Sequence, residues 1–205
     1  MHLLSTRFRY GAVAQAFHWL TVVVVIAAYF LGLGGSEQRV YAPAADFTRQ
    51  AHETLGMTVF VLVLARLLWR SIDTAPEDPP IAPWMRYSGN LIHVVLYGLL
   101  VAIPVTAIAG AWLEGHPLTL WGFGNIGPML PLAHDVGFSI ADLHTTLGNS
   151  ILWVAGLHAL AGLFHHFFLR DSVLLSMLPF AGTIDATSSA GSGVSPVRSI
   201  HPPPK

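Results

Sequence analysis

Histidine is the residue type in this chain whose number and spacing could do chemistry: there are eleven in 205 residues, and no cysteine. The missing cysteines exclude disulfides, iron–sulfur clusters, zinc–thiolate sites and covalent C-x-x-C-H haem attachment. Any metal or cofactor must therefore be held by other ligands. His18, His52, His144 and His158 all fall in apolar surroundings, where a polar side chain is costly and asks for a reason. His144 and His158 are fourteen residues apart, which on a helix is roughly 21 Å along the axis and within about 40° of one face. One helix face then carries imidazoles at two depths, His52 sharing the level of His144 and His18 that of His158. Two opposed imidazole pairs stacked across a bilayer suit two b-type haems, each needing two neutral ring nitrogens and an apolar slot between helices. Zinc or copper would need three or four clustered ligands.

The glycines around these histidines strengthen that reading. His52/Gly56, His144/Gly148 and His158/Gly162 share an i, i+4 spacing, which narrows the helix beside each ring for a flat macrocycle. The strings His-Glu-Thr-Leu-Gly at 52–56 and His-Thr-Thr-Leu-Gly at 144–148 are near repeats. Arg66, fourteen residues after His52, projects toward the second level as a propionate partner. Each signal taken singly has a plainer explanation, since an intramembrane histidine also serves as a hydrogen-bonded packing residue and glycine lets membrane helices approach. The coincidence of two level-matched pairs with shared glycines favours haem. Spacing does not choose between His18 and His93 as partner of His158, because both stand about six residues, roughly 9 Å, inside their spans.

These residues must be positioned by membrane helices. The chain is 53% apolar and only 10% charged, too little polar surface for a water-soluble globule. The sequence predicts spans at Ala12–Leu33, His52–Trp69, Tyr87–Leu113 and Leu143–Leu169, each long enough for roughly 30 Å of hydrocarbon. The second contains charge at its ends, with Glu53 in a first turn and Arg66 and Arg70 able to snorkel. The first lacks the cleavage pattern of a secretory signal and reads as retained. Four spans with short loops make an all-α, up-down transmembrane four-helix bundle.

Sorting Lys and Arg by side puts Arg7, Arg9, Arg66, Arg70, Arg86, Arg170, Arg198 and Lys205 on one face, with Arg39 and Arg49 opposite. By the positive-inside rule both termini are cytoplasmic. Glu114–Asp142, with acidic residues but no Lys or Arg, reads as an outer loop, and the proline-rich Ser71–Met85 as a stiff inner one. Residues 1–179 form the membrane domain; 180–205, rich in Ser, Gly, Ala and Pro, read as a disordered cytoplasmic tail. A net charge of −1 without a densely basic stretch excludes a nucleic-acid binder.

Phe17-His18-Trp19, Gln50-Ala51-His52-Glu53, Leu91-Ile92-His93-Val94-Val95-Leu96-Tyr97, Leu143-His144-Thr145-Thr146-Leu147-Gly148, Gly156-Leu157-His158-Ala159 and His165-His166-Phe167-Phe168 resemble, in order and spacing, the bacterial cytochrome b561 family. The likeness runs from about Arg9 to Pro179. It implies a diheme cytochrome b of the bacterial inner membrane, with ligand roles carried onto His18, His52, His144 and His158. The implied pairing, as in related diheme subunits of formate dehydrogenases and hydrogenases, is His52 with His144 outside and His18 with His158 inside. His93 then becomes a neighbour of the inner haem or its propionate. The tail is longer than the family pattern.

Two haems at different depths make a route for single electrons, and filled axial positions argue against oxygen binding at iron. His165 and His166, with Arg7 and Arg86 on the same side, are candidates for a quinone pocket where a histidine exchanges the accompanying proton. On the outer side Arg39 and Arg49 are fixed positive charges able to draw in a small anion, and the resemblance supplies superoxide, with ubiquinone as acceptor; a periplasmic small molecule or protein is the broader donor class. His116, His134 and Asp135 read as ordinary loop residues. The alternative function is a haem b membrane anchor for a dehydrogenase or hydrogenase, in contact with lipid and its partner subunit.

Overall fold

A computed structural model describes residues 2–32, 41, 43–77 and 81–179. The tail expected at 180–205 and the cations Arg39, Arg198 and Lys205 lie outside the described residues. Four long helices dominate: α1 (Ala12–Leu31), α2 (Asp46–Ile72), α3 (Pro83–Leu113) and α4 (His134–Phe164), with a short α5 (Val173–Met177) at the end. All four long helices are long and apolar enough to cross a membrane, the fourth continuing to Leu169.

Their boundaries follow local chemistry. Asp46 in the first turn and Arg70 in the last complement the dipole of α2. Pro83 opens α3 at a first-turn position, where its missing N–H costs nothing. The helix α4 runs into a π-helical turn, His165–Leu169, which ends at Arg170 in the left-handed region with φ of 54°.

Several expected bounds shift, α3 beginning at Pro83 rather than Tyr87 among them. Residues 114–142 are not simply a loop: α4 starts at His134, nine residues before the expected span, because a helix can extend past the hydrocarbon once its polar turns reach water. The same stretch also contains a two-stranded antiparallel hairpin, β1 (Leu118–Leu120) with β2 (Gly124–Ile126), in register Thr119 opposite Asn125. Gly122 and Gly124 make its turn at positive φ, which side-chain-bearing residues rarely adopt. Similarly α2 begins at Asp46 rather than His52, its charged first turns lying beyond the apolar window.

Helices α1 and α2 pack as one antiparallel pair and α3 and α4 as another, joined through α2 and α3. A thin core of Val24, Val59 and Val63 seals α1 against α2, with Tyr97, Leu100 and Val101 of α3 against it. Most other large apolar side chains face outward, Val23, Trp153 and Leu157 among them, as suits helices solvated by lipid tails. Between α1 and α4 the link at one level is the Tyr29 hydroxyl donating to Asn149 at 3.1 Å.

At the end where α1 begins, α5 lies against the start of α1. The buried Gln15 amide donates to the carbonyls of Tyr10 and Ser176, Trp19 to that of Met177, and the Arg9 guanidinium to that of Leu178. Ser5 donates to the Asp73 carboxylate from both its amide (3.0 Å) and hydroxyl (2.6 Å). Burial pushes the Asp73 carboxyl up, but these hydrogen bonds, together with those from Trp69 and the Thr74 amide, more than offset it and hold it below its usual range.

Candidate functional site

Six histidine and arginine side chains from all four long helices gather at two levels. At the level nearer the β hairpin, His52 of α2 faces His144 of α4 with ring centroids 6.0 Å apart and planes at 85°. Each ring is fixed by a backbone carbonyl of a neighbouring helix: His52 Nδ1 lies 2.8 Å from Ala28 O of α1, and His144 Nδ1 2.8 Å from Ile103 O of α3. A carbonyl only accepts, so both Nδ1 atoms carry the proton and both Nε2 atoms keep a free lone pair. That is how metal-binding imidazoles are commonly oriented.

About fourteen residues further along α4, His158 meets two candidates. Its ring centroid is 6.4 Å from His18 of α1 and 5.2 Å from His93 of α3. Arg66 places Nη1 3.3 Å from His18 Nδ1 and its guanidinium 5.5 Å from the Tyr97 ring. Arginine only donates, so His18 Nδ1 accepts here, the opposite tautomer from the hairpin-end pair.

An imidazole nitrogen binds a metal at about 2 Å, so two rings on opposite sides of one iron have centroids about 6 Å apart. The His52–His144 and His18–His158 spacings fit such a group, while His93 stands closer to His158 than an intervening iron allows. Among the described residues no set of three or more His, Asp or Glu side chains converges as a protein-only metal site, in keeping with an arrangement of pairs. A Cβ built on Gly56 or Gly148 would meet no atom within 4 Å. Neither glycine therefore serves a helix crossing, unlike Gly110, where a Cβ would come 3.1 Å from the backbone of Ala141. At Gly162 the nearest atom would be Leu174 Cδ1, 3.8 Å away.

Residue arrangement and family agree. The sequence model for prokaryotic cytochrome b561 matches residues 9–180. The chain belongs to that family. It is a multi-pass bacterial membrane protein, an electron-transfer cytochrome whose family binds haem b. It is 32% identical over 177 residues to the "Probable superoxide oxidase CybB" of Yersinia pestis, covering 83% of this chain and 96% of that one. To "Cytochrome b561 homolog 2" of Escherichia coli it is 28% identical over 179 residues, covering 87% and 95%. A "Cytochrome b562" of Cereibacter sphaeroides is 26% identical over 167 residues, covering 78% and 89%.

The four residues singled out for a quinone pocket are spread over the terminal end of the cytochrome. Arg7 pairs with Glu77 at 2.8 Å on the surface, both side chains more than half exposed. Arg86 lies in the first turns of α3. His165 and His166 lie on the π-helical turn, His165 Nδ1 2.5 Å from the Asp171 carboxylate. A separate cleft of about 270 Å³ opens at that end, lined by Tyr10, Arg66, Arg70, Asp73, Asn90 and His93 among others. None of the four lines it.

Sequence reasoning missed the carbonyls of Ala28 and Ile103, because backbone groups of ordinary apolar residues have no signature. It also missed Gly32, where a Cβ would come 2.7 Å from the His52 ring; glycine at the end of an apolar span was a usable signal. Arg49 changes role. Its side chain is 11% exposed and pairs with Asp46 at 3.0 Å and Glu53 at 2.9 Å, so its charge is balanced rather than offered to an incoming anion. His116 stacks on Tyr41 with centroids 3.6 Å apart, and His134 begins α4.

Proposed function

We propose that this cytochrome carries single electrons between a donor on the outer face of the bacterial inner membrane and a membrane quinone, through two b haems. Residues 1–179 form the electron-carrying domain, both termini are cytoplasmic, and 180–205 form a cytoplasmic tail. The orientation rests on charge: Arg7, Arg9, Arg66, Arg70, Arg86 and Arg170 lie at the terminal end and Arg49 at the hairpin end. The observation that carries the reading is the repeated ring spacing of about 6 Å at two levels of one bundle.

His52 and His144 hold the outer group and His18 and His158 the inner one. Bound haem supplies an iron that cycles between two oxidation states without exchanging ligands. Ala28 O and Ile103 O keep the outer Nε2 lone pairs aimed into the slot, and Gly56 and Gly148 leave room beside them. Arg66 is the cation placed to pair an inner propionate, and His93 packs beside that level. At the inner interface Asp171 holds the His165 tautomer, leaving its other nitrogen to pass a proton to quinone, with His166 next to it and Arg7 and Arg86 on the same side in the headgroup region. The cleft lined by Arg66 and His93 opens beside the inner pair.

Superoxide is the donor we propose, supported by the name of the Yersinia pestis relative. Two superoxide ions lose one electron each to give two O2, and one quinone takes both electrons and two protons to give quinol. The test is purification of the full chain in detergent with haem measured per polypeptide, followed by a superoxide source with and without ubiquinone. About two low-spin b haems per chain, reduced by superoxide and reoxidised by quinone, are expected. Haem that is reduced only in the presence of a co-purifying subunit would replace superoxide with the dehydrogenase-anchor reading.

A further inference from the structure

The outer hairpin is tied to α2 by the two residues that follow His52. Thr119 N donates to Glu53 Oε2 at 2.5 Å, and Trp121 N to Thr54 Oγ1 at 2.8 Å. Thr119 lies in β1 and Trp121, two residues on, directly follows the strand, so their N–H groups point to one edge. An unpaired edge needs partners, and here α2 side chains supply them. The Trp121 ring adds an edge contact to Phe47 of α2, centroids 5.4 Å apart, and Leu118 is buried.

The other Glu53 oxygen, Oε1, takes Arg49 Nη1, and the Glu53 side chain is only 14% exposed. Arg49 lies 5.3 Å over the Tyr41 ring, which stacks on His116 just before β1. One carboxylate therefore joins the segment entering α2, the turn carrying His52, and the hairpin. A two-stranded ribbon is marginal by itself, so these bonds decide where it sits.

We propose that Glu53 is a positioning residue for the outer centre: its carboxylate latches β1 onto the helix turn that carries His52, and the latched hairpin closes the outer end of the slot against water. The inference rests on the reading of His52 and His144 as a haem pair. Water exclusion and orientation of the ligand's surroundings set the potential of such a group.

The test compares Glu53→Ala and Glu53→Gln in the haem-loaded full chain by amide hydrogen exchange and redox titration. In Glu53→Ala the amides of Thr119 and Trp121 exchange about tenfold faster. The outer centre's midpoint falls, because admitted water favours the more positively charged oxidised form, and the inner midpoint stays. Glu53→Gln, which keeps an oxygen for Thr119, restores most of both readouts. Unchanged exchange in Glu53→Ala overturns the latch. Faster exchange with an unmoved outer midpoint overturns the positioning role, as does an equal shift of both midpoints. Where Glu53→Ala does not accumulate, Thr54→Val, which leaves Glu53 in place and removes the Trp121 bond together with the hydroxyl's own bond to the Gln50 carbonyl, is read the same way. Wild-type protein without an outer haem overturns the reading of the centre instead, and exchange alone then decides the latch.

Discussion

The two histidine levels of this cytochrome are built differently. At the level nearer the hairpin, the proposed outer one, both rings are locked by backbone carbonyls, Ala28 O and Ile103 O, at 2.8 Å. At the other level, the proposed inner one, His18 is addressed by a flexible Arg66 guanidinium at 3.3 Å, with a third imidazole, His93, close by. A carbonyl within a helix cannot move away or change its hydrogen-bonding sense, whereas an arginine can exchange a histidine for a carboxylate. The outer pair is preorganised, and the inner one can adjust to what it binds. That difference is the one the proposed haem and quinone roles would need.

Removing a ring is the strongest way to separate the levels. His144→Ala is expected to leave about one haem per chain instead of about two, since a single imidazole cannot fill both axial positions. Reduced-minus-oxidised spectra check this, and retention of both haems would break the outer pairing. The inner level is probed by a pair of variants. His18→Ala should lose the inner haem while His93→Ala keeps both; the reverse result would make His93 the ligand.

A steric change is next in size. Gly148→Leu should leave the helices folded, because a Cβ there has no neighbour within 4 Å, yet reduce outer haem occupancy several-fold by filling the slot. Circular dichroism beside haem content distinguishes this from misfolding, and full occupancy would return Gly148 to a packing role. Arg66→Gln should keep both haems and shift only the inner midpoint, since it removes a charge from that level alone. A shift at the outer centre would erase the contrast between the two.

The smallest effect belongs to Asp73, beyond the end of α2, which anchors the N-terminal segment through Ser5. Its folded pKa is depressed, so its stabilisation is present above the unfolded carboxylate value and is lost as pH falls through the lower folded value. Asp73→Asn should therefore loosen residues 2–11 near neutral pH, seen as faster limited proteolysis there. The variant should differ from wild type less at low pH than at neutral pH, and an unchanged neutral-pH rate would discount the tether.

Much of this architecture was readable from residue order. Apolar runs of helical length, eleven histidines without cysteine and the fourteen-residue interval on α4 sufficed for four helices and two levels, because membrane insertion leaves a chain few alternatives. The starts of α2 and α4 were less readable: Asp46–Ala51 and His134–Asp142 are helical in polar company, where the hydrophobic window falls silent. The hairpin was missed because its strands are only three residues each. The quinone candidates were grouped by charge and side, and none of the four lines the cleft at that end.

By itself the sequence determined the family, the helix count and the two depths of histidine, since composition and helical spacing are one-dimensional properties. Only the tertiary structure decided which carbonyl orients each ring, that Arg49 is neutralised by Asp46 and Glu53, and that His18 stands at an iron-bridging distance from His158 while His93 stands closer. Those are matters of a few tenths of an ångström between separate helices, and helix rotation and crossing geometry, which settle them, are written in no single segment.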